Sequence, residues 1–238
     1  MAESKPVAVV TGVGPGLGAA LVRRFAKQYN VAMVARSGDY LRSLANDVKA
    51  SGELALAVPA DVGDSVQLKA AFRQIRDRLG DPEVLLYNAG SGTWGSVLEI
   101  SPEQFETSWR VNSYGAFIAA KEVASPMIAG GHGVMLFTGA TAGVKAGPKS
   151  VAFGPAKFAM RGLAQALARD LGPKGIHVAW INVDGIIDLP RLRERLPNVK
   201  DEDLLKPDAI AETYWHLAHQ DRSAWTMELE VRPFKEKF

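Results

Sequence analysis

The chain predicts an α/β fold, a single doubly wound domain over residues 1–238 with a seven-stranded, mostly parallel sheet and helices on both faces. Three observations carry this reading. Short β-branched runs alternate with longer amphipathic stretches, which calls for parallel crossover units. A glycine-rich turn joins the first run directly to the first helical pattern. No internal repeat, low-complexity tract or long linker interrupts the alternation.

The elements follow in order. Val7–Thr11 reads as the first strand, Leu17–Gln28 as a helix and Val31–Ala35 as the second strand, with a helical pattern from Tyr40 to about Ala50. Leu54–Val58 is the third strand, Asp64–Leu79 a helix closed by Gly80, and Val84–Tyr87 the fourth strand, followed by one long helix from Ser101 to about Ala129. Two helix starts are chemically marked: Asp64 with Gln67, and Ser101 with Gln104 behind Pro102, stand at capping-box spacing. Val134–Thr138 is the fifth strand, about Ser150–Leu171 a helix ended by Gly172 and Pro173, His177–Val183 the sixth strand and Thr226–Arg232 the seventh. Between the last two lie a polar, Pro-punctuated segment (Asp188–Lys206) and a helix at about Pro207–Gln220. Such a sheet binds its ligand beyond the carboxyl ends of the strands, which points to Thr11, Ala35, Ala60, Asn88, Thr138 and Asp184.

Composition narrows the function classes. With 47% hydrophobic and 23% charged residues, a formal charge of +2 from interspersed signs and a mean hydropathy of −0.03, the profile is that of an ordinary globular protein. Electrostatics names no nucleic-acid or membrane partner. The absence of Cys excludes disulfides, a thiolate nucleophile and Cys-ligated metals. No basic N-terminal segment with an apolar stretch and no long apolar run occurs, so a cytoplasmic protein is expected.

The turn after the first strand reads TGVGPGLG, with Gly12, Gly14, Gly16 and Gly18 feeding into a helix. Strand, tight turn and helix N-terminus together let backbone N–H groups and the helix dipole face a pyrophosphate, the arrangement of a Rossmann-type site. A merely tight strand-to-helix connection is the plainer alternative. After the second strand, where an NAD site carries an acidic residue for the ribose, stand Arg36 and Ser37. A guanidinium and a hydroxyl suit a 2′-phosphate, so NADP(H) is expected over NAD(H), with a solvated Arg36 as the alternative.

With these motifs in place, the chain resembles the short-chain dehydrogenase/reductase family along nearly its whole length. Thr11–Gly18 is similar to the family's TGxxxGxG, Asp61-Val62 to its adenine-contacting pair, Asn88-Ala89-Gly90 to its NAG element, and Asn112 to the Asn of its long helix. The resemblance implies a tetrad of Asn, Ser, Tyr and Lys: Tyr exchanges the proton as hydride moves, Lys lowers its pKa and holds the nicotinamide ribose, Ser bonds the substrate oxygen, and Asn orders a water relay. Here the pattern breaks. Aligning Lys157 with the family's YxxxK puts Phe153 at the Tyr position, and Ala140 stands at the Ser position. After the sixth strand the family's Pro-Gly-x-x-x-Thr becomes Asp184-Gly185-Ile186-Ile187-Asp188-Leu189, which keeps Gly185 among the cofactor-binding residues and replaces the Thr by Leu189.

Phe153 neither titrates nor donates, so the usual general-acid step, commonly 10²–10⁴-fold, needs another group. Lys157 acting through water is the first candidate; Thr141 and Asp188 are the others, with Thr138 and Ser150 close in sequence. Each residue has a plainer reading: Phe153 as core with Phe158, Leu163 and Leu167, Asn112 as a helix-bending residue bonded to backbone, Lys157 as a solvated lysine. His216 and His219 have metal-compatible spacing but read as a surface face with no metal, and His132 and His177 fall at the wrong strand ends. Residues 186–206 are expected to form a substrate lid, in which Arg191–Leu196 reads as a solvated amphipathic turn or an attractor of anions. Trp225 and Arg232-Pro233-Phe234 imply a tail docked on its own core or on a neighbour. The whole implies hydride transfer between NADP(H) and a carbonyl or alcohol small molecule with an atypical proton donor. The rival readings are a catalytically silent NADP(H)-binding sensor or scaffold and, third, a cofactor-free interaction scaffold. The resemblance adds a homodimer or homotetramer assembled through the two long helices and the last strand.

Overall fold

The computed structural model describes residues 5–236. Strands β1 (Val7–Thr11), β2 (Asn30–Ala35), β3 (Ala55–Pro59), β4 (Pro82–Tyr87), β5 (Gly133–Thr138), β6 (Ile176–Val183) and β9 (Glu228–Val231) form one sheet in the order β3-β2-β1-β4-β5-β6-β9. Every pairing in it is parallel. Strand order reverses between β1 and β4, and the glycine turn leaves β1 at that point, where an open α/β sheet leaves a crevice.

Alternation within the buried strands builds a core on each face. Val7 and Val9 point to one side with Leu68, Phe72 and Ile75 of α3 (Ser65–Leu79), Val123 of α5 (Gly115–Gly130) and Met160 of α6 (Phe153–Leu171). Ala8 and Val10 point to the other, against Leu21 and Phe25 of α1 (Leu17–Ala26), Leu41 of α2 (Gly38–Ala50) and Ile210 and Tyr214 of α8 (Pro207–Ala218). Both marked caps form: Asp64 accepts from the Val66 and Gln67 amides, and Ser101 and Gln104 make a reciprocal capping box at the head of α4 (Pro102–Trp109).

One expectation needs correction, and one segment gains detail. The long helix from Ser101 is α4 and α5 joined by a π-helical turn, Arg110–Tyr114, in which the Gly115 amide reaches back to the Arg110 carbonyl. Within it the Asn112 side-chain amide donates to the Ser108 carbonyl at 2.9 Å, four residues back. The polar segment before α8 is also structured. Ile186–Ile187 (β7) pairs in parallel with Leu204–Leu205 (β8), enclosing α7 (Pro190–Arg195) and a short 3₁₀ turn at Asp201–Asp203. Other boundaries shift by a few residues at most; Leu54, for example, is 45% exposed and precedes β3. Among the described residues, no helix is long and apolar enough to cross a membrane.

Candidate active site

The glycine turn is shaped by close backbone approach. Gly12 has φ +71°, and a Cβ there would fall 2.4 Å from the Ala89 Cα, so no other residue lets β1 and β4 end side by side. The Asn88 side-chain amide donates to the Gly12 carbonyl at 3.0 Å and the Ala89 amide to Thr11 Oγ1 at 3.4 Å, fastening the two strand ends. A Cβ on Gly18 would fall 2.7 Å from the Gly12 carbonyl oxygen. Helix α1 starts with no side-chain cap and no acidic residue in its first turn. Its first amides therefore have no intrahelical acceptor, and the positive end of its dipole is left uncompensated. A Cβ on Gly14 would meet nothing within 4 Å, so this side of the turn is open.

From the turn, a cavity of about 680 Å³ runs along the strand ends past Asn88 and Gly90 to Ala140, Phe153 and Lys157, with Leu189 on its outer wall. Lys157 is 4% exposed and donates to the Thr138 carbonyl at 2.8 Å. Burial with no carboxylate partner pushes its ammonium down to about 7. The plainer reading of Lys157 as a solvated lysine is therefore wrong. Phe153 does not enter the core either: it is half-buried, faces the cavity, lies 5.1 Å from the Trp94 ring and has the Lys157 Nζ 5.6 Å from its own ring. Phe158 is exposed, whereas Leu163 and Leu167 pack against the core. Asn112 is buried, sits in the π turn and also donates to the Ser91 carbonyl at 3.0 Å. Around Gly90 the two polar residues converge, since a Cβ there would lie 3.3 Å from Asn112 Oδ1 and 3.5 Å from Lys157 Nζ.

Thr138 joins the site to the core. Tyr214, fully buried on α8, shares a 2.7 Å hydrogen bond with Thr138 Oγ1, which donates to Asn88 Oδ1 at 3.2 Å. With Thr138 donating onward, Tyr214 is the donor to Thr138. Nothing in the sequence separates Tyr214 from the other apolar-face residues of its helix; only the packing of α8 against β5 reveals it.

Residues 6–196 match the family model for short chain dehydrogenases. The chain belongs to the short-chain dehydrogenase/reductase family. The versicolorin reductase of Emericella nidulans is 30% identical over 197 residues, 81% of this chain and 74% of its own. The crystal structure of a short-chain dehydrogenase from Rhodopseudomonas palustris is 33% identical, with a TM-score of 0.84 over 98% of this chain and 100% of its own. A metagenomic short-chain oxidoreductase in complex with NADP is 26% identical, with a TM-score of 0.85 over 98% and 99% of the two chains. The family is one of oxidoreductases.

The remaining candidates lie in several separate places. Arg36 and Ser37 are exposed at the end of β2, and Asp61, its Oδ1 accepting the Gly63 amide at 2.8 Å, follows the adjacent end of β3 with buried Val62 behind it. They flank the far side of the glycine turn, outside the cavity lining. Thr141 does not line the cavity: its hydroxyl donates to buried Asp184, which Arg232 also holds at 2.7 Å. Gly185 has φ +143° and turns toward Pro233, 2.7 Å from where its Cβ would be, so it shapes the tail and not the cavity. Asp188 is clamped by Arg193 through two 2.7 Å hydrogen bonds, which hold its carboxyl below the usual range. Ser150, buried, donates to the Gly147 carbonyl. His177 stacks on Trp225, and His219 is engaged by Tyr29 and the Trp215 carbonyl. Sequence reading missed Trp94, which only its aromatic place in a glycine-punctuated loop would have marked.

Proposed function

We propose that the chain is an NADP(H)-dependent oxidoreductase acting on carbonyl or alcohol substrates, with Lys157 in place of the family's tyrosine as the proton-exchanging group. The observation that carries this is one continuous cavity joining the open glycine turn to the Lys157 ammonium. A phosphate-bearing dinucleotide fits the turn, because Gly14 leaves room, α1 offers uncapped amides and Arg36 supplies a cation for a 2′-phosphate. When bound, the cofactor supplies or accepts the hydride. Gly12–Gly18 hold the phosphates, and the Asn88 side chain keeps the turn in place. Lys157 holds a proton at Nζ and passes it to the substrate oxygen directly or through one water. Phe153 and Trp94 keep bulk water from the reacting face. With a pKa near neutrality, Lys157 is charged for reduction at low pH and neutral for oxidation at high pH.

The exposed rings of Phe105, Trp109, Phe117 and Phe158 on α4, α5 and α6 support assembly into a homodimer or homotetramer, and a cytoplasmic setting accompanies this reading. The test follows NADPH oxidation over a panel of carbonyl compounds, beside an Ala140→Ser/Phe153→Tyr variant and Lys157→Met. Turnover in the parent that falls as pH rises through about 7 and is lost in Lys157→Met supports the proposal. Turnover seen only in the double variant makes the parent a silent NADP(H)-binding protein instead.

A further inference from the structure

Beside Lys157 the cavity opens into a second chamber of about 640 Å³, which shares Gly90, Gly92, Ile187, Leu189 and Arg191 with the first. Its own walls are Trp94, Ile186, Leu192 and Arg195. The chamber therefore joins apolar side chains on one part of its wall to two guanidinium groups on another; none of the described residues lining it is acidic, and Glu194 lines the adjoining cavity. The arginines of α7 divide by position. Arg193 is tied to Asp188 and Asp201, at 2.7 and 2.9 Å. Arg191 and Arg195, one helical turn apart and hence on one side of α7, both face the chamber. Trp94, 61% exposed, lines the chamber and packs against Phe153, whose ring lies 5.6 Å from Lys157 Nζ.

We infer that this chamber selects a planar, apolar carbonyl compound that carries a carboxylate remote from the reacting carbonyl. The ring system lies against Trp94 and the Ile187 and Leu189 side chains, and the carboxylate takes Arg191 and Arg195, whose forked donors match its geometry. This rests on the proposed function for the reacting end only: hydride from the reduced cofactor goes to the carbonyl carbon and the proton to its oxygen, leaving an alcohol whose carboxylate is unchanged.

The experiment compares a tetralone carboxylate with its methyl ester on the full-length protein, by NADPH oxidation and by calorimetric titration with and without NADP⁺, where no reduction occurs. The expected result is about a 10-fold advantage of the acid over the ester in kcat/KM, carried by KM, and a matching advantage in binding. In Arg191→Met/Arg195→Met the acid-to-ester ratio falls to about one, and Arg191→Lys/Arg195→Lys recovers part of it. Raising the salt concentration narrows the advantage. Equal use of acid and ester by the parent, a preference that survives the Met variant, or no binding of either overturns the inference. Arginine-dependent binding of the acid without any turnover leaves it standing and overturns the hydride-transfer reading instead.

Discussion

Leu189 rests on Gly16: a Cβ added to Gly16 would fall 2.2 Å from Leu189 Cδ2. The segment between β7 and α7 thus touches the glycine turn where the family carries Thr, and it does so through the tip of a flexible side chain. Gly12 and Gly18 meet backbone at comparable range.

That difference predicts opposite outcomes for similar substitutions. Gly12→Ala combines a left-handed φ with a backbone collision and is expected to cost about 2–4 kcal/mol. Gly16→Ala displaces only Leu189 and is expected to cost under about 1 kcal/mol of stability, while weakening NADPH binding several-fold. Leu189→Ala in the Gly16→Ala background recovers part of that affinity. Urea denaturation and fluorescence titration with NADPH read the two effects.

Burial of Lys157 predicts a pH signature in stability. Its pKa falls from 10.5 to about 7 on folding, so between those values the unfolded chain holds a proton that the native chain has released. The destabilisation is complete below about pH 7 and disappears as pH rises toward 10.5, so stability increases with pH across that window. Against Lys157→Met as reference, the parent is expected to gain a few kcal/mol between about pH 7 and pH 10 in urea denaturation. Parallel pH curves for parent and variant would remove Lys157 as the cause.

The line from Tyr214 through Thr138 to Asn88 predicts a remote effect on the cofactor end. Tyr214→Phe deletes the donor to Thr138 Oγ1 without creating a cavity. It is expected to cost about 1 kcal/mol of stability and a few-fold in NADPH affinity. An unchanged affinity in the titration would confine Tyr214 to the core.

Asp184 stands where the family has Pro, and its carboxylate is held between Thr141 and Arg232. Arg232→Met leaves a nearly buried carboxylate without its cation and is expected to destabilise by about 3 kcal/mol at neutral pH. Asp184→Asn/Arg232→Met is expected to cost less than the sum of the single changes, which thermal melts of the three variants at neutral pH would read.

The sequence by itself determined the fold class, the strand order of events along the chain, the two capped helix starts and the glycine turn. These are legible because they rest on local chemistry: the short β-branched run of β1, Asp64 and Ser101 with their amides three residues on, and the strand-turn-helix context of Gly12–Gly18. It also marked Ala140 and Phe153 as departures from the family pattern, because that comparison needs only spacing. Tertiary structure decided the rest. Whether Lys157 is solvated or buried depends on what packs around α6, and that sets its protonation near neutrality. Thr141 and Asp188 looked available for proton transfer until the fold brought Asp184 and Arg193 to them across long or irregular stretches of chain. The π turn at Asn112, the Leu189 contact with Gly16 and the chamber beside Trp94 arise from segments far apart in sequence, where no periodicity links the partners and only their meeting in space defines the site.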